Sequence, residues 1–254
     1  MNKKILLAIV GLLSASAIQA ENVFNAGMSV GYRQTGVKST KKSDTEKYSS
    51  EMKGAKNVML NGHFNGLIDD QFYVEGGIHY GVHTGKTKNV NKRNGVKLNQ
   101  NKSKSKLNPF EGEALFGYQF NIAEGVSLTP VVGYGFQRLH VRHGKDTLKT
   151  LHTPVAGLKM TVKPSDDFAI RASFTYGKPK VKSKFKDMNL EKRANQFKTT
   201  LGLDYKMDEA WGLSLEGSYA HAKAKKQTKP AGVKVKSEAK VCHWDVAFGA
   251  TVGF

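Results

Sequence analysis

From Phe24 onward the chain alternates apolar and polar positions with a period of two. Phe24, Ala26, Met28, Val30 and Tyr32 share one face of an extended segment; Asn25, Gly27, Ser29, Gly31 and Arg33 share the other. Phe72, Val74, Gly76, Ile78, Tyr80 and Val82 stand against Tyr73, Glu75, Gly77, His79, Gly81 and His83 in the same way. Phe110 to Asn121 and Cys242 to Phe254 repeat the pattern. Applied along the whole chain, it predicts ten strands, near 23–34, 55–67, 71–84, 109–122, 126–142, 148–163, 168–178, 196–207, 211–222 and 240–254.

The connections between these strands are of two alternating kinds. Four are tight and built of turn residues, around Asp69 and Asp70, Glu124 and Gly125, Asp166 and Asp167, and Asp208 and Glu209. The other set, 35–54, 85–108, 143–147, 179–195 and 223–239, is lysine-rich and, except for 143–147, long. A soluble sandwich has no reason to gather its long connections at one end. A transmembrane barrel does, with short turns inside and long loops outside, and its closure leaves no unpaired edge in lipid. The expected fold is all-β: a ten-stranded antiparallel up-and-down transmembrane β-barrel. Tyr32, Tyr80, Tyr118, Tyr134, Tyr176, Tyr205, Trp211 and Tyr219 lie near strand ends, where interfacial girdles form.

Residues 1–20 fit none of this. Lys3 and Lys4, the apolar run from Ile5 to Leu13 and the small residues that follow read as a secretory signal. Cleavage after Ala17, with Ala15 at −3, matches the small-residue pattern more strictly than cleavage after Ala20, with Ile18 at −3; we place it after Ala20, where Glu21 starts a polar lead into the first strand, leaving 21–254 as the barrel with its external loops. No later segment has the eighteen apolar residues a spanning helix needs. The single cysteine among 254 residues excludes a disulfide framework and a thiolate zinc site.

The signal segment, the even strand count and the last strand, from Ala247 to Phe254, together resemble the small Gram-negative outer-membrane β-barrels. The segment from Ser127 to Gly135 resembles a common strand of such barrels. The resemblance implies residence in the cell outer membrane and contact with its lipid and lipopolysaccharide. It also implies recognition of the terminal Phe254 by the barrel-assembly machinery. Ten strands with basic loops are similar in architecture to the Opc-type adhesins, a family that binds sulfated glycosaminoglycans; no motif matches residue by residue, so no site is carried over.

Charge sharpens this picture. The whole chain carries +19 and the mature part +17, yet the five outer connections with their flanks hold +23, leaving −6 for the barrel body. The connection 85–108 has eight cations and no acid: Lys86, Lys88, Lys92, Arg93, Lys97, Lys102, Lys104 and Lys106. With Lys180, Lys182, Lys184, Lys225, Lys226, Lys229, Lys234 and Lys236 they form the candidate polyanion-binding surface of a monomeric barrel. Lysine supplies point charges without planar forks, which favours affinity over fine stereochemistry. The alternative is that these are merely solvated loops, binding nearby lipopolysaccharide phosphates on a purely structural barrel.

The inward face is expected to carry Glu75, Glu111, Glu113, Lys159, Arg171, Lys198, Asp204, Lys206, Glu216 and Asp245. Both signs occur on adjacent strands, so they should pair and plug a lumen too narrow for a diffusion pore. The omptin proteases are also ten-stranded and offer a hydrolase alternative. His243 and Asp245 share an inward face near an outer strand end, but no paired acids accompany them there. His152 with a neighbouring hydroxyl suggests a lipid A esterase still more weakly, and His63, His79 and His83 a metal site only if the strand register converges them. No catalytic residue, metal or cofactor is assigned.

Overall fold

The computed structural model describes residues 23–84, 87–103, 106–142, 147–183, 194–228 and 235–253. The expected signal segment and Phe254 lie outside these residues. Fourteen strands follow one another among these residues: β1 Val23–Lys42, β2 Lys47–Ile68, β3 Phe72–His83, β4 Thr87–Arg93, β5 Val96–Ser103, β6 Lys106–Tyr118 and β7 Phe120–Ala123. Then come β8 Val126–Arg142, β9 Thr147–Ser165, β10 Phe168–Gly177, β11 Lys180–Ser183, β12 Ala194–Lys206, β13 Trp211–Thr228 and β14 Val235–Gly253.

Ten of them make an antiparallel ring that closes where β1 pairs with both β2 and β14. β7 prolongs β6 past Gln119 along the same partner β8, and β11 prolongs β10 past Pro179 along β9. The expected ten-stranded barrel is the fold. Partners followed once round the ring from Thr35, through His243, Ala220, Lys198, Thr175, Gly157, Val131, Gly117, Tyr73 and Leu67, return to β1 at Val23, a stagger of 12 residues. With ten strands, that stagger sets a tilt of about 40°.

The tight connections turn as their residues require. Asp69 and Asp70 both take the left-handed conformation, at φ 51° and 57°, which suits the right-handed twist of the hairpin they join. The Asp208 carboxylate accepts the N–H groups of Ala210 and Trp211 at 2.8 and 2.7 Å. Outward positions are apolar and exposed, among them Val30, Leu60, Phe64, Phe116, Val132, Phe174, Leu201 and Phe248, as a lipid-facing band requires. Rings on this face lie across glycines of the next strand: a Cβ on Gly76 would meet Phe64, and one on Gly112 would meet Phe136.

Above the band the structure departs from expectation. The connection 35–54 is almost entirely strand, since β1 runs on to Lys42, β2 begins at Lys47, and a four-residue turn at 43–46 joins them. The connection 85–108 holds the hairpin β4–β5, which pairs along the upper part of β2 and leaves β5 as an outer edge. Its turn is Asn94 and Gly95, at φ 48° and 87°, a two-residue signal characteristic of hairpins. The connection 223–239 is likewise mostly strand, from β13 and β14. These ribbons lack alternation because both faces are solvated, so only the backbone ladder marks them as strand.

Candidate functional site

Two regions gather chemistry: the lumen and the external ribbons. In the lumen, Arg33 of β1 is 4% exposed and holds two carboxylates, Asp245 directly opposite it on the neighbouring β14 and Glu111 on β6. Its Nη1 donates to Glu111 Oε1 at 2.6 Å, and its Nε donates to Asp245 Oδ2 at 2.9 Å. The Ser218 hydroxyl donates to the other Asp245 oxygen at 2.6 Å, and the Gln137 amide donates to Glu111. Each buried carboxylate is thus paired and further hydrogen-bonded, as burial of charge demands.

Below this group Lys159 pairs with Glu75, donates to the Tyr73 hydroxyl at 2.8 Å and lies 4.9 Å from that ring's centre. Arg171 forks onto Asp204, with one bond of 2.8 Å, and Lys198 sits 3.4 Å from Glu113. Between these pairs lies a cavity of about 70 Å³ edged by His63, His79, Glu113 and Glu216. Pairing across the lumen holds for Arg33–Glu111, Lys159–Glu75 and Lys198–Glu113, while Arg33–Asp245 and Arg171–Asp204 join neighbouring strands; Arg33, the central cation, is not among the residues expected there. Lys206 departs from expectation: it is exposed at the inner mouth, where its N–H donates to the Asp167 carbonyl at 2.7 Å.

The histidines fall as follows. His243 is buried two positions from Asp245 on the same inward face, but both Asp245 oxygens are engaged by Arg33 and Ser218. His79 Nδ1 lies 3.0 Å from the Asn61 amide oxygen. His63, His79 and His83 form no metal-holding group among the described residues. His152 Nδ1 lies 2.8 Å from the Tyr134 hydroxyl, on the outward face.

On the ribbons, Lys92, Arg93 and Lys97 are exposed at the tip of the β4–β5 hairpin. Arg93 pairs with Glu46 and lies 5.4 Å from the Tyr48 ring centre, while the Asn94 side chain accepts the Lys47 N–H at 2.7 Å. These contacts staple the hairpin to the β1–β2 turn. The Arg93 hydrogen bond, helped by one from Tyr48, holds the Glu46 carboxyl below its usual range.

Register sets lysines opposite lysines here: Lys53 faces Lys88, Lys88 faces Lys102, Lys92 faces Lys97, and Lys42 faces both Lys47 and Lys236. Lys225 stands opposite Glu238. Lys88, Lys102, Lys106, Lys180, Lys182 and Lys226 are placed on strands only by their backbone. Lys86, Lys104, Lys184, Lys229 and Lys234 lie outside the described residues.

Comparison with known proteins fits this architecture. No curated protein matches the chain. Among solved structures, the outer-membrane protease OmpT of Escherichia coli superposes with a TM-score of 0.64 at 12% identity, covering 94% of this chain and 100% of that one. That likeness is one of fold. OprG of Pseudomonas aeruginosa overlaps more loosely, with a TM-score of 0.44 at 14% identity, covering 93% of this chain and 97% of that one. Ail of Yersinia pestis overlaps at 0.35 and 16% identity, covering 91% and 99%. A family model described as outer membrane protein beta-barrel domain matches residues 5–197. The chain therefore belongs to the outer-membrane protein β-barrel family and resides in the cell outer membrane.

Proposed function

We propose that the external ribbons of this barrel form an adhesin-like surface that binds polyanions, sulfated glycosaminoglycans or the phosphorylated saccharides of lipopolysaccharide. The observation that carries the reading is the register of like charges. Lys53, Lys88 and Lys102 stand abreast on β2, β4 and β5, and Lys92 stands opposite Lys97. Like charges directly opposite one another weaken a ladder. A chain of sulfates or phosphates laid across the strands turns that repulsion into attraction. The lumen supports the same division of labour: five of its carboxylates, Glu75, Glu111, Glu113, Asp204 and Asp245, are paired internally, so the surplus cations belong to the rim.

The test is binding of heparin to detergent-folded protein at two salt concentrations. Affinity should fall steeply as salt rises, because exposed point charges are screened within a Debye length of about 10 Å at 0.1 M. The variant Lys88→Gln/Lys92→Gln/Lys97→Gln/Lys102→Gln should lose about tenfold or more, since each surface cation contributes a fraction of a kcal/mol to 1 kcal/mol. Affinity indifferent to both salt and this variant would overturn the reading.

A further inference from the structure

The hairpin β4–β5 ends the external sheet on a free edge. β4 is bonded to both β2 and β5, but among the described residues β5 is bonded to β4 alone, and the next strand, β6, pairs with β3 and β8. β5 is eight residues long, so over about 26 Å alternate N–H and C=O groups point away from β4 with no strand to receive them. Such an edge is a template for another strand, and proteins blunt it by shortening it, covering it or charging it, most often with lysine. β5 is long and carries lysine. That protection depends on the sign of what approaches.

A bulge decides how the charge is presented. Lys97 and Lys102 are five residues apart, and in a regular strand an odd spacing sends two residues to opposite faces. Here Asn99 pairs with Asn91 and Lys97 with Lys92, so Leu98 is an extra residue without a partner. The register therefore sets Lys97 and Lys102 opposite Lys92 and Lys88, which are four apart, and returns both positions to one face. Val96 and Leu98, on either side of Lys97, are 68% and 59% exposed, apolar surface that an added strand would remove from water.

This pattern selects. A second copy of the chain, laid antiparallel with Val96 against Ser103, would set Lys97 against Lys102 twice, and like charges directly opposite weaken a ladder. The edge thus rejects itself. The same two lysines attract a strand that carries acids four residues apart.

We infer that the free edge of β5 is a docking site for an extended acidic segment of a partner protein, which joins the sheet as one more strand and sets two carboxylates against Lys97 and Lys102. Backbone hydrogen bonds supply the affinity of such an addition, and the carboxylate spacing supplies the specificity. The inference stands apart from polyanion binding: a sulfated chain needs the lysines only, whereas an added strand also needs the unpaired backbone.

The experiment is fluorescence anisotropy of a labelled, capped nine-residue valine–threonine peptide, with glutamates at its third and seventh positions, titrated with the detergent-folded full chain. Replacing both glutamates by glutamine should weaken binding about tenfold, the loss of two charged cross-strand pairs. N-methylation tests the backbone: methylating one set of alternate residues should abolish binding, and methylating the other set should leave it within about threefold, because only every second N–H of a strand faces its neighbour. Lys97→Glu/Lys102→Glu should reverse the preference, toward a peptide with lysines at the same two positions. No saturable binding of the glutamate peptide, the same effect from both methylated sets, equal affinity of the glutamine peptide, or an unreversed preference in the variant would each overturn the inference. Sedimentation showing that the wild type dimerises and that the dimer excludes the peptide would overturn it in favour of a second copy. If the variant does not fold by heat-modifiable gel mobility, the methylated peptides on the wild type decide alone.

Discussion

Arg33 joins Glu111, 78 positions away, to Asp245, 212 positions away, inside a tube of closely packed side chains. Its removal leaves two facing carboxylates without a cation. We expect Arg33→Met to destabilise the barrel by about 3–5 kcal/mol, the range for breaking a buried pair by losing one partner. Urea unfolding in lipid vesicles, read by heat-modifiable mobility, measures this. Arg33→Met/Glu111→Gln/Asp245→Asn should recover most of the loss, because it leaves no unpaired charge. Alternation alone places Arg33 on the polar face. It cannot show that both acids point at one guanidinium, since those contacts depend on register between strands far apart in the chain.

At the scale of elements, an ionic staple from Arg93 to Glu46 ties the hairpin β4–β5 down at its tip. The folded-state pKa of Glu46 lies below its ordinary value of 4.5, with the Arg93 hydrogen bond as the main cause. The sign follows: the staple contributes fully above pH 4.5 and is lost as pH falls through the lowered folded value. A carbon-13 titration of the Glu46 carboxyl should show a midpoint below 4.5 that returns upward in Arg93→Gln. An unchanged midpoint in that variant would show that the staple does not exist in solution. The Asn94 and Gly95 pair was legible in the chain as a hairpin turn, but the charged, non-alternating flanks hid the strands on either side. Backbone pairing needs no apolar face, so period-two reading stops where lipid and lumen stop.

For the whole molecule, ten strands with a stagger of 12 residues give a narrow tube, and the ion pairs fill it. The cavity of about 70 Å³ between Lys159, Lys198 and Arg171 has room for no more than a few waters. Liposomes carrying the folded protein should therefore not swell in isotonic disaccharide at a rate above protein-free liposomes. Swelling at porin-like rates would mean that the pairs separate in the membrane. The same packing explains why acids stay inside and cations outside: Glu75, Glu111, Glu113, Asp204 and Asp245 find cation partners within the tube, whereas lysines on the ribbons face one another.

Alternation of side chains by itself determined the class of fold, the number of spanning strands, the tight inner turns and the segregation of charge to the outer end. These follow from local rules, because a strand exposes its two faces in strict alternation and lipid and lumen demand opposite chemistry. Only the tertiary structure decided which strand met which, and in what register. That choice brought Glu111 and Asp245 to Arg33, set Lys53, Lys88 and Lys102 abreast, and turned the expected loops into ribbons. The physical reason is that ring closure fixes one stagger for all strands together, and no single segment of chain carries that information.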